Sequence, residues 1–327
     1  MKKVLIKLLK NPTSLAGIVL LVIFVFIAIL APAIAPPEAR SRDPYMIPKD
    51  GFSTPPEPPN EDHPLGTTEG QYDIFYGVIW GTRTAFRIGV VITFVTLIGG
   101  LLIGSISAFY GGWADEALMR VTEIFQAFPF LLAAITLTSV LQTIYGRGEA
   151  GALMFMAKIL AFLTFGQNPS HRVDPVQLQI LTGMLAIIFF GWMTYARVIR
   201  GNILALKEFE YTLAARVIGA SDMRILFRHL MPNAVFPVMV LASMDIGSYV
   251  LTFAALSFLG LGAQRGYADW GQMISFARNW LPSLADHWYI VVYPGSAIVL
   301  FVLAWNLVGD ALRDILDPRM RGRGAGV

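Results

Sequence analysis

The segment EYTLAARVIGASDMRILFRHLMPN, residues 210–233, gathers small, polar and basic residues between two long apolar runs. Gly219 stands where a helix end needs a residue tolerant of positive φ. Ser221 can cap a following helix by accepting from a backbone N–H two or three residues on. The spacing predicts a helix over 207–218, a glycine elbow and a second helix. Ala214, Ala215, Gly219 and Ala220 carry little side-chain bulk, so a partner surface could approach the backbone there, while Arg216, Arg224 and Arg228 offer a rim for charge pairing. This is chemistry suited to docking rather than to making bonds.

Groups that make bonds are scarce. There is no cysteine, which excludes disulfides, thiolate catalysis and cysteine metal sites. His63, His171, His229 and His287 lack metal-ligand spacing. No Gly-Lys pair occurs, so the usual phosphate-cradling loop is missing and the chain is not expected to hydrolyse ATP by itself. No cluster of His, Asp, Glu or Ser gathers at one depth. We therefore expect no catalytic residues, no metal and no cofactor.

The elements that must position the hairpin are apolar helices. Of 327 residues 55% are hydrophobic and 14% charged, against roughly a quarter charged in soluble domains. Residues 11–37, 88–114, 124–146, 175–196 and 288–309 contain no Asp, Glu, Lys or Arg, and 229–264 holds only Asp245. Each can supply the ~20 residues needed to cross a bilayer, and helices are the structures that satisfy their own backbone there. The expectation is an all-α polytopic membrane protein with six transmembrane helices. The lysine-rich start and an Ala33-Ile34-Ala35 sequence mimic a signal peptide, but the apolar run from Leu15 to Ala35 is too long for one and Pro36 opposes cleavage, so it reads as a retained first helix. With the N-terminus inside, Lys2, Lys3, Lys7, Lys10, Arg197, Arg200, Arg216, Arg319, Arg321 and Arg323 fall on one face, which the positive-inside rule makes cytoplasmic. Basic residues that flank apolar runs in this way argue against a nucleic-acid surface. Residues 151–166, with Lys158 near the middle, are too short for a comfortable span and read as an interfacial or re-entrant helix on the outer face. Gly99, Gly100 and Gly104 would let helices approach closely.

Five blocks in order carry a family resemblance. They are His63-Pro64-Leu65-Gly66-Thr67 with Asp73, Gly81 and Arg83; Tyr110-Gly111-Gly112 with Asp115, Arg120 and Ala127-Phe128-Pro129; Tyr211, Ala214, Ala215, Gly219, Ala220, Ser221 and Arg228-His229…Pro232-Asn233; Leu256 to Gly262; and Asn306 to Arg319. Together they resemble the permease subunits of ABC importers, in the dipeptide and oligopeptide branch, and 210–233 resembles the cytoplasmic EAA loop of that family. The pattern departs at Thr68, Gln71, Tyr72 and Gly77, at Glu123 for Asp, at Leu213 for Glu and at Phe253 for Glu. The stretch 63–84 also reads as an amphipathic lead-in helix.

The resemblance implies a permease forming half of a translocation path for peptides in the inner membrane of a prokaryote, with both termini cytoplasmic. It implies a homologous second permease, two ATP-binding subunits and an extracytoplasmic solute-binding protein as partners. Tyr211, Ala214, Ala215, Arg216, Gly219, Ala220, Ser221 and Asp222 would dock the ATPase. Asp245 would face the path or the partner permease, or bond a neighbouring helix. Residues 1–82 would form the first helix and a Pro-rich outer segment, and 83–327 the core, with an insertion at 146–176 and the coupling loop at 200–232. Oligosaccharides and nickel chelates are alternative cargoes. An ion-coupled carrier would want inverted repeats and more intramembrane carboxylates than Asp245 alone.

Overall fold

Ten helices account for most of the described chain, and the computed structural model describes residues 11–38, 43–51, 55–146, 151–166 and 174–316. They are α1 (Pro12–Ile34), α2 (Ile74–Tyr110), α3 (Gly112–Gln126), α4 (Phe130–Gly146), α5 (Gly151–Phe165), α6 (Pro175–Lys207), α7 (Glu210–Val217), α8 (Asp222–Phe258), α9 (Trp270–Ser275) and α10 (Tyr289–Leu316). A 3₁₀ turn, Phe276–Ser283, follows α9. Among the described residues strand pairing is limited to isolated bridges such as Met46 with Tyr267. The basic residues at positions 2–10 and 319–323 lie outside the described residues.

α1, α2, α6, α8 and α10 are each long and apolar enough to cross a membrane, and α3 with α4 makes a sixth span if that pair, bent by 90°, counts as one. The all-α polytopic expectation therefore holds, with one correction. The uncharged window from 124 does not begin a straight helix. α3 runs on to Gln126, the chain turns through Ala127, Phe128 and Pro129, and the next helix starts at Phe130. Pro129 has no N–H to donate and disfavours helix at the residue before it.

A second correction concerns 63–84. Residues 63–72 form turns, and the helix begins only at Ile74, because Asp73 caps it by accepting from Tyr76 N–H at 2.6 Å. From there α2 continues unbroken for 37 residues, about 56 Å. The boundary expected between 82 and 83 thus falls inside one helix. α5 has 15 residues, about 22 Å, shorter than the ~30 Å of hydrocarbon; it packs through Ala157, Leu160 and Ala161 into the main core.

The bundle is held by close seams. A Cβ at Gly104 would lie 2.2 Å from the Ala196 carbonyl oxygen, and one at Gly100 2.4 Å from Tyr195 Cβ, so α2 and α6 touch backbone to backbone. Gly99 also faces α6, but its Cβ would stand an ordinary 3.5 Å from Trp192, so closeness there does not require glycine.

At the end of the bundle where α2 begins, the described parts of the Pro-rich segment pack against the helices. Ile47 N–H donates to Gly266 O and Ala268 N–H to Tyr45 O, both at 2.8 Å, and the Trp80 indole donates to Ala35 O at 2.9 Å. His63 Nδ1 lies 2.6 Å from Asp73 Oδ2, and its Nε2 lies 3.0 Å from Asp50. Glu69 accepts from Arg265 Nη2 at 2.7 Å and from Asn279 Nδ2 at 2.6 Å. Burial pushes the Glu69 carboxyl up, but these bonds outweigh it and hold it below its ordinary value. Burial pushes His63 down, and the hydrogen bond and charge of Asp73 outweigh it, leaving its pKa raised above 6.5.

Because the His63 pKa is raised on folding, its contribution to stability is complete below pH 6.5 and is lost as pH rises through the folded value. The melting temperature of the detergent-solubilised protein should fall across that window, and the fall should flatten in His63→Gln. Asp73→Ala, which removes the cap as well, should cost about 1 kcal/mol at neutral pH.

Candidate partner-docking hairpin

The elbow between α7 and α8 is built by backbone geometry. Gly219 N–H donates to Arg216 O and Ala220 N–H to Ala215 O, both at 3.0 Å, the paired bonds of a Schellman helix end. Gly219 takes φ +78°, and no heavy atom lies within 4 Å of where its Cβ would stand, so left-handed conformation rather than crowding selects glycine. Ala215 and Ala220, the partners of one of those bonds, both pack into an apolar cluster with Ile199, Ile203, Ile225, Leu226 and Leu230.

Ser221 sits at the position that precedes α8, but its side chain makes no capping hydrogen bond; Ile225 N–H goes instead to the Ser221 carbonyl at 3.0 Å. α8 opens with Asp222–Arg224, widens into a π-helical segment over Ile225–Leu230, and returns to α-helix at Met231. Pro232 explains the widening, since it cannot donate to the Arg228 carbonyl and its ring crowds that group. The Asn233 amide then donates to His229 O at 2.7 Å. The Arg-His-x-x-Pro-Asn sequence is thus a backbone device.

The helix expected over 207–218 is interrupted at Glu208 and Phe209. The Thr212 hydroxyl donates to the Leu206 carbonyl at 3.0 Å, beside the Phe209 N–H, and Lys207 Nζ donates to Ala108 O and Phe109 O, the open carbonyls at the end of α2. Two turns earlier on α6, Arg200 Nε and Nη2 donate to Asp115 Oδ1 and Oδ2 at 2.6 Å each, and Ser107 donates to Asp115 as well. A bidentate pair of this kind fixes orientation as well as distance. The root of the hairpin is therefore fastened to α2 and α3 together.

Tyr211, Ala214, Arg216, Gly219, Ser221 and Asp222 stand exposed on the hairpin, and Ala220 is half-buried. Ala215 departs from the expected docking set: it is 6% exposed and faces the cluster beneath. The sequence reading missed the tip itself. Val217 and Ile218 are 87% and 84% exposed, flanked by exposed Leu213, Met223 and Phe227. The available signal was two adjacent apolar residues at a glycine turn, where polar residues usually stand.

Asp245 lies far from this hairpin, midway along α8. Tyr195 of α6 donates its hydroxyl to Asp245 Oδ2 at 2.7 Å, and Tyr195 is fully buried. Two turns on, Phe253 also meets α6, since a Cβ at Gly183 would lie 3.1 Å from its ring. Both positions look onto a neighbouring helix. No group of three or more His, Asp or Glu that could hold a metal occurs among the described residues.

A family model for the binding-protein-dependent transport system inner membrane component matches residues 100–322, and one for the N-terminal TM domain of oligopeptide transport permease C matches residues 1–56. The chain is 30% identical over 315 residues to the dipeptide transport system permease protein DppC of Alkalihalophilus pseudofirmus, covering 96% of this chain and 88% of that one. It is 32% identical over 315 residues to the glutathione transport system permease protein GsiD of Pectobacterium atrosepticum, covering 96% and 90%. It is also 32% identical over 320 residues to the oligopeptide transport system permease protein OppC of Bacillus subtilis, covering 98% and 90%.

The Tyr195–Asp245 bond separates two variants. Asp245→Asn keeps an acceptor and should leave thermal stability within about 0.5 kcal/mol of the parent. Asp245→Leu removes the carboxylate acceptor of a buried hydroxyl, leaving it only Tyr249, and should cost about 1 kcal/mol, measured by chemical unfolding in detergent.

Proposed function

The chain belongs to the family of binding-protein-dependent transport system inner membrane components, and from that premise we propose that it forms half of the translocation path of an ATP-driven importer of short peptides. A homologous permease would complete the path, two ATP-binding subunits would supply the energy, and a solute-binding protein would deliver cargo from outside. Both termini and the 210–233 hairpin would lie on the cytoplasmic side, and residues 146–176 on the outer side.

The observation that carries this reading is the bare apolar tip of the hairpin on a rigid root. Val217 and Ile218 have no reason to stand 87% and 84% exposed unless something covers them. Beneath them, Ala215, Ile225, Leu226 and Leu230 belong to the same apolar cluster as Ile199 and Ile203 of α6 and Ala234 and Val238 of α8. A push on the tip is thereby delivered to two spanning helices. The absence of a phosphate-binding loop from the sequence fits an engine on separate subunits. The cargo assignment draws on the relatives, whose names specify dipeptides, oligopeptides and glutathione.

Reconstituted with its partner permease, ATP-binding subunits and binding protein, the complex should hydrolyse ATP and accumulate peptide in vesicles, while the purified chain alone should do neither. Val217→Asp should weaken association with the ATP-binding subunits by at least about tenfold and abolish uptake, as expected for a central apolar contact worth roughly 2 kcal/mol, with membrane insertion intact. Robust ATP turnover by the chain alone, or wild-type uptake by Val217→Asp, would overturn the reading.

A further inference from the structure

Resting on the peptide-import reading, we propose that the cleft between the start of α6, the end of α8 and the α9 turn is a binding site for short peptides with a free carboxylate. Arg265 would hold the carboxylate and Gln272 would accept from a peptide N–H or ammonium group.

The cleft has a volume of about 320 Å³ and is lined by Gln179, Arg265, Gln272, Ser275, Phe276 and Asn279, among others. That size suits a ligand of a few residues. Its position suits cargo that arrives opposite the hairpin. Gln179 lies near the start of α6 and Lys207 at its end, so the cleft and the hairpin root are about 42 Å apart along that helix. α8 likewise begins at the hairpin and ends, at Phe258, beside the cleft.

Its chemistry is unfinished in a particular way. Gln272 is only 3% exposed, and its Oε1 has no hydrogen-bond partner among the described residues. A buried acceptor left unpaired is costly, and a ligand N–H is the group that would satisfy it. Arg265 has five N–H donors. One nitrogen donates to Glu69 at 2.7 Å, the guanidinium lies 4.9 Å from the Phe276 ring centre, and the side chain remains 59% exposed. Glu69 and the ring orient the fork, and the exposed remainder can receive a second carboxylate. Glu69 is already committed on both oxygens, to Arg265 and to Asn279, so it does not compete for the ligand's cationic end. The rest of the wall is uncharged, part apolar from Gly260, Ala263 and Phe276 and part amide and hydroxyl: Gln179 donates to Gly260 O at 3.1 Å and Ser275 to Gln272 O at 2.6 Å. An uncharged wall of mixed polarity with one oriented cation and one open acceptor matches the backbone and terminus that short peptides share, whatever their side chains.

The test is saturation-transfer NMR on the full chain in nanodiscs, with dialanine and dialanine amide as probes, run beside vesicle uptake of dialanine by the assembled complex. Dialanine should bind the wild-type chain, and loss of its carboxylate in the amide should weaken binding by about tenfold, the scale of one charge-assisted hydrogen bond. Arg265→Gln should abolish that preference, and Gln272→Leu should weaken both probes. Glu69→Gln breaks the same ion pair from the other side but leaves the guanidinium, so it should keep the preference; its loss there would make Arg265 a structural anchor and overturn the proposal. Equal binding of the two probes by the wild type, or none at all, would also overturn it. Uptake of dialanine without binding at the cleft would sink the cleft and leave peptide import standing. Binding with carboxylate preference but no uptake of any peptide would keep the cleft and sink the import reading.

Discussion

The rest of this structure depends on how closely α2 and α6 can approach. Gly100 and Gly104 remove the side chains that would hold the two backbones apart, and in lipid such contact is a main source of helix association. The seam ends at the hairpin root, where Arg200 grips Asp115 in a bidentate pair and Lys207 takes the last carbonyls of α2. A larger residue at Gly104 would separate the helices, and the ionic contacts at the root would lose their register with them. The hairpin is therefore positioned by a seam that lies mostly outside it.

That arrangement gives the hairpin a fixed geometry that a free loop would lack. Its elbow is fixed by paired backbone bonds, its inner face belongs to the same apolar cluster as α6 and α8, and its outer face is bare. The π-helical segment at Ile225–Leu230 lies between elbow and span. Widened turns of this kind are frequent at functional sites, and this one marks where α8 passes from hairpin to span.

Much of this was legible in the sequence because it is local. A glycine at an elbow and uncharged windows of helical length are read from neighbours along the chain, and Gly219 and the five long spans follow from them. What was not legible depends on partners distant in sequence. Asp115 and Arg200 are 85 positions apart, Tyr195 and Asp245 are 50 apart, and nothing in one sequence sets the register that joins them. Composition also cannot see a bend, which is why an uncharged window starting at 124 ran across the break between α3 and α4. Small side chains were ambiguous for the same reason: Ala214 is exposed, and its neighbour Ala215 is buried beneath the elbow.

The central claim is that the hairpin tip is covered by an ATP-binding subunit in the working complex. The chain has no native cysteine, so Ile218→Cys provides a single reporter at the most exposed part of the tip. In the assembled, transport-competent complex the thiol should be protected from a water-soluble maleimide and should cross-link to an ATP-binding subunit, whereas in the isolated chain it should react fully. A thiol that labels equally fast in the isolated chain and in the working complex, with no cross-link, would contradict the account.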